Sequence, residues 1–369
     1  MNSLRRTVAG WMVMCLCLCT SIAFAQEKAV YFGGSGDDVM LDCGVLSDGS
    51  IVVVGYTTST DGMLSMINHD DSASAWILCI SPDGAVKKNK VYSEERFTNI
   101  YVSSTDSIVV TSKNNDQYRL WSVSLDTMAL SEIAFPNSFD YVQPYGEGYL
   151  VFAYGGEKPY VALTDQSFDI IWKCTDGMPW TGVQVPFQHS LYRSGTSYIN
   201  GIAQAVTSFI DESGQLKTVR THSSRNMSFF QGLIPTDIDE FLAYGGERHS
   251  DEQSSDSARA TYVKSDGSVL WDKIYLLNGK SWFEDAILFE DAYTLLANDN
   301  LHTLSVVTLD QNGEMLQAIE VNTPPDEYAR TPRLLQVDKR LRIIYCAEEV
   351  DTAHGDISSY DVVLLDGLE

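Results

Sequence analysis

Short β-rich runs recur in pairs along the chain, and a turn-forming dipeptide follows the second run of each pair. The first runs are Ile51-Val-Val-Val-Gly55, Ile108-Val-Val-Thr111, Tyr149-Leu-Val-Phe-Ala-Tyr154, Tyr198-Ile199, Phe241-Leu-Ala-Tyr244, Tyr293-Thr-Leu-Leu296 and Ile343-Ile-Tyr345. The second runs are Trp76-Ile-Leu-Cys-Ile80, Leu120-Trp-Ser-Val123, Tyr160-Val-Ala-Leu163, Ala205-Val-Thr-Ser-Phe209, Thr261-Tyr-Val263, Leu304-Ser-Val-Val-Thr308 and Asp361-Val-Val-Leu-Leu365. The turns are Asp83-Gly84, Asp126-Thr127, Asp165-Gln166, Ser213-Gly214, Asp266-Gly267, Asn312-Gly313 and Asp366-Gly367. Asp-Gly and Asn-Gly suit hairpins because both central positions of a type I′ turn need positive φ. Gly84 to Gly367 covers 283 residues in six intervals, about 47 per unit. That period fits a four-stranded propeller blade, whereas a sandwich would not reiterate one unit seven times. Sustained helical periodicity is almost absent. The expected fold is therefore all-β: a seven-bladed β-propeller of four-stranded antiparallel blades.

A third strand follows each turn, as in Ala85 to Tyr92 and Ser268 to Tyr275, and a fourth leads into the next pair. The last unit stops at Leu368-Glu369, directly after its turn. The missing strand matches the orphan Ala29-Val30-Tyr31-Phe32, with Val30-Tyr31 corresponding to Ile274-Tyr275 and Val91-Tyr92. Joining the N-terminal strand to the last blade would close the ring and remove an unpaired sheet edge.

Ahead of that strand, Arg5-Arg6, an apolar stretch from Val8 to Ile22 and Ala23-Phe24-Ala25 compose a signal peptide, expected to be cleaved after Ala25. Residues 26–369 then make a single propeller domain, placed outside the cytoplasm: extracellular, at the cell surface or in the periplasm. Cys15, Cys17 and Cys19 read as apolar filler, since no small residue precedes any of them as lipoprotein processing requires. The chain carries a formal charge of −25; losing two arginines with the leader leaves 23 basic against 50 acidic residues. Such a surface repels phosphate backbones and anionic lipid, so nucleic acid is excluded as a partner. No transmembrane segment is expected in the mature chain, and a monomer is. Cys43, Cys79, Cys174 and Cys346 allow three disulfide pairings, but their apolar surroundings favour buried thiols.

Three segments of the first unit carry a family likeness. Tyr31-Phe-Gly-Gly-Ser-Gly-Asp-Asp38, Ser47-Asp-Gly-Ser-Ile-Val-Val-Val-Gly-Tyr-Thr57 and Trp76-Ile-Leu-Cys-Ile-Ser-Pro-Asp-Gly84 resemble the exported bacterial seven-bladed β-propeller repeat. The likeness is partial around Tyr262 to Tyr275 and reduces to pattern elsewhere; the second unit's turn lacks its glycine and the fourth unit's first run is weak, which leaves the blade count open by one. It implies a fold and an exported location, and no activity, because propellers host unrelated functions.

The loops linking successive units converge on the channel face, where propeller ligands bind. They carry Phe97, Phe139, Trp180, Phe229, Trp282 and Tyr328, with Arg96, Arg225 and Arg330 nearby. Guanidinium groups and stacked rings would suit a carboxylated or sugar ligand. The competing reading is architectural: aromatics at one repeat-wide position pack blade against blade. Asp70-Asp71, Asp237-x-Asp239-Glu240 and Glu284-Asp285 are acidic enough for calcium, yet none forms the alternating ladder of a dedicated loop. No resident cofactor is expected. The six histidines stand alone and read as surface residues, and no nucleophile elbow, zinc signature or phosphate loop is present. The reading is an exported, non-catalytic module that binds or scaffolds an unknown protein or glycan. A carbohydrate-active enzyme, glycosidase or lyase, using channel-mouth carboxylates is the alternative. A quinone-cofactor or lactonase-like propeller, suggested by Trp172 and Trp271, is a third.

Overall fold

The computed structural model describes residues 28–368, except 65–72, 93–95, 103–106, 115–116, 135–140, 154–159, 176–180, 188–189, 223, 225, 238, 249–255, 278–280, 300–302, 325–326 and 352–355. The leader and its cleavage site lie outside these residues. The chain forms seven four-stranded antiparallel sheets. Blade 1 consists of Asp38–Val45, Ile51–Thr57, Ser74–Ile80 and Val86–Tyr92. Blades 2 to 6 occupy residues 97–133, 141–174, 181–222, 227–275 and 282–322 in the same meander. Blade 7 takes three strands from residues 327–368 and its fourth from Lys28–Phe32.

That fourth strand closes the ring, with Val30 opposite Leu364 and Phe32 opposite Val362. The register differs by one residue from the sequence expectation. Phe32 is the buried counterpart of Tyr275, while Tyr31 is 46% exposed. In a strand a one-residue shift exchanges faces, so the distinction decides which ring packs.

First strands of neighbouring blades meet around the axis, and fourth strands lie outermost. In blade 1 the third strand is buried throughout, whereas the fourth buries only Val91. Alternate residues of each inner strand face opposite neighbours. Ile51 and Val53 pack toward blade 7; Val52 and Val54 pack toward blade 2. Among the described residues seven apolar clusters form, one per blade interface. At roughly 1.5–3 kcal/mol per fully buried large aliphatic side chain, this packing is the main source of stability.

Asp366-Gly367 does not form the expected turn, since it lies within the third strand of blade 7, Asp356–Leu368. The turns after the third strands of blades 1, 4, 5 and 6 are not the expected type I′ either. In each only the glycine has positive φ, at Gly84, Gly214, Gly267 and Gly313, which matches a three-residue loop with a bulge. In blades 4 and 6 the aspartate three residues before the glycine organises the turn. Asp211 Oδ1 accepts from the amides of Ser213 and Gln215, and Asp310 Oδ1 from those of Asn312 and Glu314. In blade 2, Met128 takes the left-handed position at φ 55°. The outer strand of one blade then holds the next blade's turn. Lys88 donates to the carbonyls of Leu125 and Asp126, Arg220 to Gly267, and Trp271 to Gln311.

In blade 4 the second strand is Ser190–Ile199, and its core residues are Leu191 and Tyr192 rather than the expected Tyr198-Ile199, where Tyr198 is 75% exposed. Polar residues interrupt this strand, which hides its start from a search for apolar runs. None of Cys43, Cys79, Cys174 and Cys346, which lie in three different blades, is joined in a disulfide. Burial raises the thiol pKa of Cys79 to about 11 and of Cys346 to about 12.

Candidate functional site

The antiparallel meander sends all links between blades to one end of the ring and the Asp-Gly turns to the other. The linker face and the channel it opens into hold two tiers of polar side chains.

The deeper tier is a belt produced by β-bulges. The inner strands of blades 1, 2, 5, 6 and 7 shift register between Met40 and Asp42, Phe97 and Asn99, Phe230 and Gly232, Phe283 and Asp285, and Arg330 and Arg333. A bulge re-aims the side chain that follows it. The Asp42 carboxylate accepts the Ile100 amide of blade 2 at 3.0 Å. Asp285 repeats that bond two interfaces away, accepting the Leu334 amide of blade 7 at 2.8 Å. Blade 5 has Gly232 at this register, and the Tyr244 hydroxyl passes over it to donate to Asp285 at 3.3 Å. Arg333 lies between the two carboxylates. Burial works to lower its pKa, but Asp285 and Asp42 outweigh it and raise it. Burial pushes both carboxyl groups above their ordinary range, against the pull of the bonded amides and Arg333. The belt ties blades together; its carboxylates are committed to backbone amides.

The upper tier is a rim of arginines set against aromatic rings. Arg96 lies 4.7 Å from the Tyr56 ring centroid, Arg248 5.8 Å from Trp282, and Arg330 5.9 Å from Tyr328. Arg330 is also paired with buried Glu348, which raises its pKa. Trp282 donates Nε1–H to Glu284 at 2.6 Å and meets Phe229 edge-on. Glu284 is the extra residue of the blade 6 bulge; burial raises its pKa, with Trp282 and Arg333 opposing.

Of the residues expected to touch a ligand, Arg96, Trp282, Tyr328 and Arg330 stand on this rim. Phe97 does not. It is fully buried between blades 1 and 2 and edge-on to Tyr92, because its side chain is the first core residue of its inner strand. The architectural reading holds for it. Phe139, Trp180 and Arg225 lie outside the described residues. Tyr56, Tyr360, Arg248 and Glu348 belong to the rim without having been singled out. They come from second and third strands, whose ends return to the linker face, so a search of linkers alone passes over them.

Three other expectations change. Glu284-Asp285 is an inner-strand bulge rather than an acidic loop. Glu240 is committed to the Tyr262 hydroxyl and Lys264. His222 is buried at the interface of blades 4 and 5 rather than on the surface. It is bonded to Thr207 at 2.8 Å, and burial lowers its pKa to about 4. The remaining histidines lie outside the described residues.

No family model and no curated protein sequence matches the chain. Solved structures do. The propeller domain of the Trilobed protease from Pyrococcus furiosus superposes with a TM-score of 0.56 at 10% identity, covering 90% of this chain and 96% of that one. Kluyveromyces lactis Hsv2 gives 0.51 at 9% identity, covering 89% and 99%. Pyrococcus horikoshii acylaminoacyl peptidase gives 0.55 at 12% identity, where the match covers 90% of this chain and 52% of the peptidase. The likeness is one of fold.

Proposed function

We propose that the mature chain is an exported, non-catalytic propeller that captures its ligand on the linker face. The repeated bonding of Asp42 and Asp285 to the next blade's amides carries this reading, because a general acid–base pair needs carboxylates free to meet a substrate. The rim itself is built mainly of arginines set against rings, which bind rather than transfer protons. The fold permits the reading without selecting it, since its neighbours include both protease propellers and propellers that stand alone.

Glu284 supports a second reading. A carboxyl with a raised pKa beside a tryptophan at a channel mouth is what a glycosidase or lyase acid would require. One experiment separates the two: mature protein is incubated with an oligosaccharide panel, and both retention and bond cleavage are measured. Retention without cleavage is expected. Cleavage that Glu284→Gln abolishes would establish the enzyme instead. Export is checked by fractionating cells that express the full chain, where mature protein beginning at Gln26 is expected outside the cytoplasm.

A further inference from the structure

Resting on the binding reading above, we propose that the linker-face sector of blades 7, 1 and 2 takes a saturated sugar ring bearing a carboxylate, as in a uronic-acid polymer. The sector holds two arginines of different kinds. Arg96 is exposed, held against Tyr56, and among the described residues no carboxylate pairs with it. Arg330 is oriented from below by Glu348 and from the side by Tyr328, with 45% of its side chain still open to solvent. Tyr360, near the end of the third strand of blade 7, neighbours Glu348, Tyr56 and Arg330. Two planar forks are thus fixed in direction beside three tyrosines.

The acids nearby are mostly occupied. Glu348 is committed to Arg330, and Glu327 accepts the Tyr31 hydroxyl at 3.1 Å. Among the described residues Asp37, beside Tyr56, and Asp361, beside Tyr31, are the carboxylates left open in this sector. A guanidinium fork matches a carboxylate through two parallel hydrogen bonds, and a tyrosine face accepts the C–H face of a pyranose. The ligand must supply both features. A plain polyanion brings charge alone and meets the repulsion of a chain at −25. A neutral glucan brings rings and leaves the forks unfilled.

The test uses the mature protein with polygalacturonate as the probe, and dextran and dextran sulfate as the neutral and charge-only comparisons, at physiological salt. Polygalacturonate is expected to bind in preference to both. Arg96→Ala should weaken it about tenfold, the scale of one lost charge-assisted pair. Arg96→Lys should recover little of that loss, since a point charge lacks the fork. Arg340→Ala removes the same charge from the opposite, turn face and should change binding by less than about twofold, the order expected of a remote, screened surface charge. Melting curves confirm that Arg96→Ala folds, as its exposed side chain implies.

Equal binding of dextran sulfate, or equal loss in Arg340→Ala, would reduce the effect to net charge and overturn the proposal. Unchanged affinity in Arg96→Ala would do the same, as would no binding of polygalacturonate. If a neutral glycan or a protein occupies the linker face instead, the uronate assignment falls and the binding reading stands. Release of new chain ends from polygalacturonate would overturn the binding reading itself.

Discussion

At the scale of single residues, the Asp-Gly and Asn-Gly turns show how one contact can be isolated from another. Gly313 has φ +73°, and a Cβ there would sit 2.8 Å from the Trp271 ring of the preceding blade. Gly84 has nearly the same conformation, φ +84°, with nothing within 4 Å of that position. Both alanine variants incur the left-handed backbone cost, about 1 kcal/mol. Gly313→Ala must also displace the tryptophan, whose Nε1–H is bonded to Gln311, so its total should reach about 2–3 kcal/mol. Urea midpoints of the two variants measure the difference, and equal midpoints would show that Trp271 does not hold the turn. The Asp-Gly dipeptides were legible in the sequence because glycine marks left-handed positions. The bonding role of Asp211 and Asp310 was not, since an aspartate in a polar stretch looks like any solvated acid. Phe97 was visible as an aromatic but not as core, because burial depends on which blade interface its strand faces.

At the scale of elements, the closing strand is where the first unit's motif acquires a physical meaning. Its Gly33-Gly34-Ser35-Gly36-Asp37 link delivers amides to Asp38 and to the loop that follows Thr57. Gly34 donates to Asp38, Ser35 to Asp61, Gly36 to Ser59 and Asp37 to Thr58. Gly33 is wedged where a Cβ would lie 2.4 Å from oxygens of both Asp38 and Asp361. Burial, then Asp38, then Glu349, raises the Asp361 pKa to about 6. Tyr31 and Cys346 lie in the same electrostatic neighbourhood and are also raised, Tyr31 to about 12. A raised carboxyl favours the folded state while protonated. Its contribution is complete below the ordinary carboxylate range and is lost as pH rises through about 6. Solvent reaches Asp361, so about 1 kcal/mol is the expected size of the loss. His222 works in the opposite sense: with its pKa lowered to about 4, its contribution is present above the usual histidine range and is lost as pH falls toward 4. Amide exchange in Lys28–Phe32, corrected for intrinsic rates, should therefore quicken between pH 5 and pH 7.5, and Asp361→Asn should flatten that dependence. Retention of the full dependence in the variant would assign it elsewhere.

At the scale of the whole molecule, seven interfaces share the load and the chain is held as a circle by one pair of strands. The repeat period made the circle legible, because 47 residues per unit admits few other architectures. The belt was not legible. Asp42, Asp285 and Arg333 are far apart in sequence, and only bulges in separate inner strands bring them to one level. Deleting residues 26–34 tests the circle directly. It removes Phe32 from the cluster shared by blades 7 and 1, and it unpairs the strand edge from Val362 to Asp366. The buried phenylalanine alone represents about 2–3 kcal/mol, and the lost ladder and linker bonds should bring the total to about 3–5 kcal/mol. An exposed edge also recruits other chains, so the truncated protein should self-associate as its concentration rises, while the intact protein does not. Denaturant midpoints and light scattering read the two effects. A synthetic peptide of residues 26–34 added in trans should restore both, since it supplies the missing strand without the covalent link. If the truncated chain melts as the intact one does and stays monomeric, the seam contributes nothing and stability resides in the other six interfaces alone.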